Sequence, residues 1–209
     1  MNTNNWFKWC GDFGEGFGIV KLNEKWNIIG KDGKFLSITW FDSCSYFQEG
    51  FAVVRLNGKY NFIGTDGKLL SSTWFDDCDC FCEGFGVVEL NRKQNYIDKD
   101  GNFLSDTGFD YCTSFIEGFA RVRLNGKWNF IGVDGKLLSS TWFDACNAIH
   151  DGLSRVALNG KFNHIGKDGK LLSVLWYDYC YGFNEGFAKV NLNGKWLYID
   201  TKGGLHEDR

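Results

Sequence analysis

The dipeptide Glu-Gly, once changed to Asp-Gly, recurs in this 209-residue chain every 34 residues without an insertion. Its first residues are Glu15, Glu49, Glu83, Glu117, Asp151 and Glu185. A fixed period of this length indicates a tandem-repeat architecture, in which each repeat buries its apolar faces against its neighbours. We begin each repeat at the position that holds Trp in five of the six repeats. The chain then has a lead, 1–5, and a single repeat domain, 6–209, of six repeats: 6–39, 40–73, 74–107, 108–141, 142–175 and 176–209.

Each repeat carries two turn signals between apolar runs. Asn-Gly, as at 57–58, favours a two-residue type I′ turn because both residues tolerate positive φ. Glu24 and Arg92 replace this glycine in repeats 1 and 3, at an expected cost of about 1 kcal/mol each. Asp-Gly, as at 66–67, predicts the next hairpin turn. Several runs between the turns are apolar on both faces, which fits strands packed between neighbouring repeats. We predict four antiparallel strands per period, at 51–56, 59–64, 68–72 and 74–78 in the second one.

The first and last repeats differ little from the middle ones, whereas an open solenoid needs polar caps at its ends. Six repeats of four strands also fall within the range of blade numbers in β-propellers. The predicted fold class is therefore all-β: tandem 34-residue β-meander repeats that close into a six-bladed, propeller-like ring. An open β-solenoid or superhelix is the alternative.

Composition and charge remove several functional classes. Hydrophobic residues make up 44% of the chain, which excludes disorder, and a net charge of −3 with interleaved signs leaves no basic patch for nucleic acid or a membrane surface. No apolar run approaches the roughly 18 residues of a membrane span, and residues 1–5 lack the features of a signal peptide. We therefore expect a cytoplasmic protein in a reducing compartment, with neither nucleic acid nor membrane as a partner.

Two segments carry a resemblance to a known family. GFAVVRLNGKYNFIGTDGKLL and GFARVRLNGKWNFIGVDGKLL, followed by WFDDC and WFDAC, resemble the WG-repeat family of bacterial and phage proteins, and the likeness extends over all six repeats. The Gly-Lys-Trp core stands at 126–128 and 194–196. Asn129 follows the Trp where the family has Gly, and the family's proline before the aromatic-Asp pair is absent. The resemblance implies a β-repeat scaffold for interaction, with no shared reaction.

Six of the eight cysteines occupy one position of the repeat: Cys10, Cys44, Cys78, Cys112, Cys146 and Cys180. A residue that serves every repeat alike is most simply a small buried filler. Cys80 and Cys82 add two thiols beside Cys78, and on a strand the three would share one face and could hold a soft metal. No Cys-x-x-Cys or His partner accompanies them. We predict no metal site and no cofactor, while metal binding by these three thiols is left open.

Repeated carboxylates are predicted to be structural. An acid present in every repeat is expected to accept hydrogen bonds from backbone N–H groups at a turn, whereas acid–base catalysis needs a pair in distinct environments. His150 and His164 lie in repeat 5 and His206 in the tail, and no Ser/His/Asp or Cys/His constellation accompanies them. We predict that the protein is not an enzyme.

Two positions just before Glu-Gly differ in every repeat. Exposure alone explains this divergence, but loops on a rigid scaffold also commonly carry binding. The candidate interaction surface consists of Tyr46, Gln48, Cys80, Cys82, Ile116, His150 and Asn184.

We expect a non-enzymatic scaffold that mediates protein–protein interaction, as a structural or accessory component of a bacterial or phage assembly. The alternative is a glycan-binding module that stacks repeated aromatic residues on sugars. Solvent exposure of one tryptophan position separates the two hypotheses, because burial of all its members would remove the platform for a sugar. The members of this position are Trp40, Trp74, Trp142 and Trp176.

Overall fold

The computed structural model describes residues 9–11 and 13–207, with the backbone alone for Trp9 and Cys10. This part of the chain folds into 19 β-strands in six antiparallel sheets, without a helix. Accordingly, the described residues contain no helix long and apolar enough to cross a membrane. The predicted all-β fold of tandem repeats is confirmed, because each predicted repeat contains one sheet.

The chain divides into two compact units, 1–108 and 109–209, and the division falls within one residue of the predicted boundary between repeats 3 and 4. The strands of the first unit are β1 (Trp9–Cys10), β2 (Phe17–Leu22), β3 (Lys25–Gly30), β4 (Ser43–Cys44), β5 (Phe51–Leu56), β6 (Lys59–Gly64), β7 (Asp77–Cys78), β8 (Phe85–Leu90) and β9 (Lys93–Asp98). Those of the second are β10 (Tyr111–Cys112), β11 (Phe119–Leu124), β12 (Lys127–Gly132), β13 (Ala145–Cys146), β14 (Leu153–Leu158), β15 (Lys161–Gly166), β16 (Tyr179–Cys180), β17 (Phe187–Leu192), β18 (Lys195–Asp200) and β19 (Leu205–His206). The single repeat domain 6–209 and the choice between a ring and an open superhelix stay predictions.

The centre of each sheet is a hairpin of two six-residue strands. In repeat 2, β5 and β6 pair from Phe51 opposite Gly64 to Leu56 opposite Lys59. The turn between them has φ of 51° at Asn57 and 81° at Gly58, which confirms the predicted type I′ turn. Glu24 and Arg92 adopt φ of 61° and 63°, so these two side chains do occupy the glycine's left-handed conformation.

The prediction of four strands per period is wrong for the described residues of repeats 1 to 5, where segments such as 68–72 do not form a strand, whereas in repeat 6 the corresponding segment forms β19 and the sheet has four strands. Leu69 makes a single bridge to Ile63, and the chain then leaves the sheet. The reason is Asn61, which is completely buried and whose Nδ2 donates to the carbonyl oxygens of Ser71 at 2.7 Å and Thr73 at 3.1 Å. A side chain therefore satisfies the carbonyls that a fourth strand would have paired, and the sheet has three strands.

The segment that was expected to be the last strand passes from one sheet to the next. Phe75 pairs with Tyr60 of repeat 2 through N···O distances of 2.8 and 2.9 Å. Two residues later, Asp77 and Cys78 pair with β8 of repeat 3. Successive repeats within a compact unit are thus joined through backbone hydrogen bonds as well as through side chains.

The hydrophobic cores lie between successive repeats. One core contains Phe41, Phe47, Val54 and Ile63 of repeat 2 together with Ile28 of repeat 1. This arrangement explains why the strands are apolar on both faces.

The cysteine position is part of these cores. Cys112, Cys146 and Cys180 are buried, and Cys44 and Cys78 are half-buried against a core, which confirms the role of small filler for these five. The side chain of Cys10 lies outside the described residues.

Candidate functional site

The Glu-Gly dipeptide forms a second tight turn, at which the divergent residues stand. Gln48 and Phe51 exchange two backbone hydrogen bonds, of 2.8 and 3.1 Å, around Glu49 at φ 52° and Gly50 at φ 87°. Two positive φ values in a two-residue connection define a type I′ turn. The backbone of the residue before the turn is therefore paired, while its side chain is not required for packing. This explains why the position of Gln48 differs in every repeat.

A glutamate is uncommon at positive φ, and in several of these turns its carboxylate binds the turn of the next repeat. Both carboxylate oxygens of Glu15 accept hydrogen bonds from the next turn, from Glu49 N at 3.0 Å and Gly50 N at 2.9 Å. Glu117 does the same toward the turn at Asp151–Gly152, at 2.9 and 3.2 Å. The Lys167 ammonium, 2.9 Å away, is the main cause that lowers the pKa of Glu117, and these N–H donors add to it. The Glu-Gly acids thus join successive repeats.

The aspartates of Trp-Phe-Asp are held in a similar way. Asp144 Oδ2 accepts a hydrogen bond from Asn159 N at 2.6 Å, at the Asn-Gly turn of its own repeat, while its Oδ1 pairs with Lys127 of the preceding repeat. The Lys127 ammonium is the main cause that lowers the pKa of Asp144. The prediction that the repeated acids bind backbone N–H groups at turns is confirmed for both positions. Carboxylates held ionised in this way are poor general acids at neutral pH.

Three residues of the candidate interaction surface come together in a groove between repeats 2 and 3. They are Tyr46, Gln48 and Cys80. The groove has a volume of about 560 Å³, and its other lining residues are Ser45, Val53, Cys78 and Asp79. The Tyr46 side chain is 49% exposed, so the aromatic ring forms an accessible wall of the groove.

The chemistry of the groove suits binding better than catalysis. Cys80 Sγ lies 3.5 Å from Asp79 Oδ1, and burial together with the Asp79 charge raises the pKa of the Cys80 thiol. Burial and the Glu83 charge raise the pKa of Cys82 in the same direction. A thiol that stays protonated at neutral pH is a weak nucleophile. Over residues 9–11 and 13–207, no three His, Cys, Asp or Glu residues gather in a way that could hold a metal ion.

The other four residues of the predicted surface are not among those that line this groove. Cys82 is half-buried and stands next to its own turn, paired through the backbone with Phe85. Ile116, His150 and Asn184 belong to the second compact unit, and each is exposed beside its own Glu-Gly or Asp-Gly turn.

An exposed aromatic cluster in repeat 6 was missed by the sequence reasoning. The ring of Tyr181 lies 5.0 Å from that of Tyr179 and 5.9 Å from that of Trp196, and the three side chains are 50%, 40% and 39% exposed. Lys189 Nζ stands 5.4 Å from the centre of the Trp196 ring. A signal was available, because the positions of Tyr179 and Tyr181 also differ among the repeats. The predicted surface contains only positions near Glu-Gly and therefore leaves these two tyrosines out.

The tryptophan position that separates the two functional hypotheses is neither buried nor open. Trp40, Trp74, Trp142 and Trp176 are all half-buried. Trp74 packs on the core around Val54, and Trp176 packs on the core around Val156. Because one side of these rings packs on a core, only part of their surface is available to a sugar. The rings of the cluster in repeat 6 are more exposed.

No curated protein sequence matches the chain. Among solved structures, Hsv2 of Kluyveromyces lactis is similar with a TM-score of 0.41 and 11% identity, over 90% of this chain and 70% of that one. A protein of unknown function from Bacteroides caccae is similar with a TM-score of 0.30 and 14% identity, over 88% and 90%. Neither likeness bears on function.

Stacked repeats form extended surfaces that are suited to binding, so this fold suggests a binding or scaffold module. Family comparison adds the origin of the repeat. The profile described as "WG containing repeat" matches residues 7–26, 40–60, 96–128 and 165–196, which together make up half of the chain. The repeats, the Gly-Lys-Trp hairpins and this match agree, and the chain therefore belongs to the family of proteins with the WG containing repeat.

Proposed function

We propose that this protein is a non-enzymatic scaffold that binds a protein partner through the groove between repeats 2 and 3. The observation that carries the proposal is the meeting of Tyr46, Gln48 and Cys80 in one groove of about 560 Å³. These three stand at positions that the repeat leaves free to vary, whereas the acids and cysteines around them serve the fold. An accessible aromatic side chain in a groove is a common anchor of protein interfaces.

The lining of the groove defines the chemistry of a suitable partner. Tyr46, Val53 and the two half-buried thiols offer an apolar surface. Asp79 is exposed at this surface, and Asp77 and Glu83 nearby in the sequence add negative charge. The groove fits an extended protein segment that places one apolar side chain against Tyr46 and one basic side chain near Asp79.

Affinity capture from the source cells tests this function when it is combined with a matched pair of variants. Tyr46→Ala removes the anchor, and Tyr111→Ala removes a tyrosine of similar exposure, 45%, outside the groove. We expect that the wild type and Tyr111→Ala capture at least one protein that Tyr46→Ala does not capture. Once purified, that captured protein is expected to bind the wild type and Tyr111→Ala more tightly than Tyr46→Ala. Capture of the same proteins by both variants would refute the groove as the binding site.

A second candidate function is glycan binding by the aromatic cluster of Tyr179, Tyr181 and Trp196. Its support is the exposure of three touching rings, since the flat apolar face of an aromatic ring is suited to packing against the C–H face of a sugar. Titration with a panel of neutral oligosaccharides, followed by NMR of the Trp side-chain N–H groups, tests it. Binding that Trp196→Ala abolishes and the half-buried Trp128→Ala retains would support this function. Absence of any shift across the panel would reject it.

A further inference from the structure

Successive repeats within each compact unit meet through three recurring contacts. The first is apolar: in the first unit the Phe17 and Phe47 rings are 4.8 Å apart and the Phe51 and Phe81 rings are 4.6 Å apart, and in the second unit Phe119 packs on the core that contains Ile149. The second is the Glu carboxylate of one repeat on the turn of the next, as from Glu15 to Glu49 N and Gly50 N. In each contact the preceding repeat and the following repeat contribute different residues. Every repeat therefore has one set of contact residues on the side that faces the preceding repeat and another set on the side that faces the following repeat.

The third contact is a close approach of backbone. A Cβ on Gly67 would lie 2.3 Å from the carbonyl oxygen of Leu36 in the preceding repeat. The same approach recurs for Gly101, Gly169 and Gly203, at 2.8, 2.3 and 2.4 Å. Because a carbon and a carbonyl oxygen normally stay at least about 3.3 Å apart, this position tolerates only glycine wherever another repeat precedes it.

Repeat 1 leaves its half of these contacts uncovered. Phe13 is 49% exposed, whereas its counterparts Phe47 and Phe81 are buried and Phe183 is half-buried. A Cβ on Gly33, the counterpart of Gly67, would have no heavy atom within 4 Å. No described residue fills the space at Gly33 that the preceding repeat fills at Gly67.

Repeat 6 leaves the opposite half uncovered. Phe187 is 45% exposed, whereas its counterparts Phe17, Phe51 and Phe119 are half-buried. The carboxylate of Glu185, the counterpart of Glu15, has no hydrogen-bond partner among residues 13–207. His206 lies beside Phe187, with ring centres 5.6 Å apart, and it stands where the other repeats have the leucine that approaches the glycine.

We propose that the protein self-associates head to tail, with repeat 1 of a second copy packing on repeat 6. Phe13 of the second copy packs on Phe187, and its Glu15 and Gly16 N–H groups donate to the Glu185 carboxylate. Gly33 of the second copy admits the backbone of His206. The argument for this occupant is the internal interface, since both halves already fit each other between neighbouring repeats of one chain. Such a contact is heterologous and leaves one free end on each side of the dimer, so that copies add in series.

Sedimentation velocity of the full chain tests the proposal. The mass of one chain is 23.8 kDa, and we expect the average mass to rise with concentration between about 1 and 200 µM, where a contact of micromolar affinity assembles. Gly33→Ala blocks one end and Phe187→Ser the other, so each variant alone is expected to be monomeric. Their equimolar mixture is expected to form a dimer and to stop there, because each variant retains the end that the other has lost.

Gly58→Ala is the matched control for backbone strain. Gly58 has φ of 81°, close to the 78° of Gly33, and also has no heavy atom within 4 Å of a Cβ, but it lies at the Asn-Gly turn rather than on an end face. The Gly58→Ala variant must associate as the wild type does. A wild type that stays monomeric at all concentrations, or a Gly33→Ala variant that associates normally while folded by circular dichroism, overturns the proposal.

Discussion

Replacement of glycine by alanine at Gly67 and at Gly33 separates the strain of a turn from the packing of one repeat on the next. Both residues lie in the Asp-Gly turn of their repeat and both have φ of 78°. A left-handed alanine costs about 1–2 kcal/mol at either site. The two differ in surroundings, because the new Cβ meets Leu36 O at 2.3 Å at Gly67 and meets nothing within 4 Å at Gly33.

The steric part follows from these distances. To restore ordinary contact, the carbonyl of Leu36 must retreat by about 1 Å. Such overpacking typically costs about 1–3 kcal/mol. We therefore expect Gly33→Ala to lower the free energy of unfolding by about 1–2 kcal/mol and Gly67→Ala to lower it by about 2–5 kcal/mol.

Urea unfolding at low micromolar concentration, followed by tryptophan fluorescence, measures both values. Gly169→Ala repeats the experiment in the second compact unit, where the Cβ would lie 2.3 Å from Leu138 O. Equal losses of stability for Gly33→Ala and Gly67→Ala would refute the close stacking of repeats 1 and 2.

Three further predictions concern other parts of the chain. His164 is buried, and burial is the main cause that lowers its pKa. Its Nε2 lies 3.0 Å from Tyr181 O, and its Nδ1 has no hydrogen-bond partner in the described chain. The unfolded chain therefore takes up a proton first, so stability is full above the unfolded-state pKa of about 6.5 and falls below it, by at most about 1.4 kcal/mol per pH unit. Urea titrations between pH 5 and 8 should show this slope flattened by His164→Phe and unchanged by His150→Gln. Glu117→Ala should lower the urea midpoint more than Glu185→Ala does. The Glu117 carboxylate binds the next turn, whereas the Glu185 carboxylate has no partner among the described residues. Equal midpoints would contradict the role of the Glu-Gly acids in joining repeats. Burial raises the pKa of Cys146 and Cys180 to about 12, so mass spectrometry after iodoacetamide treatment should find these thiols unmodified in the native protein and Cys80 modified faster; early labelling of Cys180 would contradict its burial.

The sequence by itself determined the period, the hairpins and the structural role of the repeated acids. These features are local: Asn57-Gly58 fixes a turn through its φ preferences, and alternation of side chains along 51–56 reports which face is covered. The WG-repeat resemblance was likewise carried by the hairpin residues, and the family match confirms it.

Only the tertiary structure decided what depends on contacts between residues that are distant along the chain. The missing fourth strand of repeat 2 follows from the buried Asn61 amide, whose partners lie ten and twelve residues away. Glu49 has a positive φ where glycine is preferred, and its carboxylate accepts a hydrogen bond from Gly84 N of the next repeat at 2.9 Å.

The candidate site has the same origin. Tyr46 and Cys80 are 34 positions apart and meet only because repeat 3 stacks on repeat 2. Local propensity specifies a single repeat, but the rise and rotation between repeats come from side-chain packing, and these decide which variable residues share a groove.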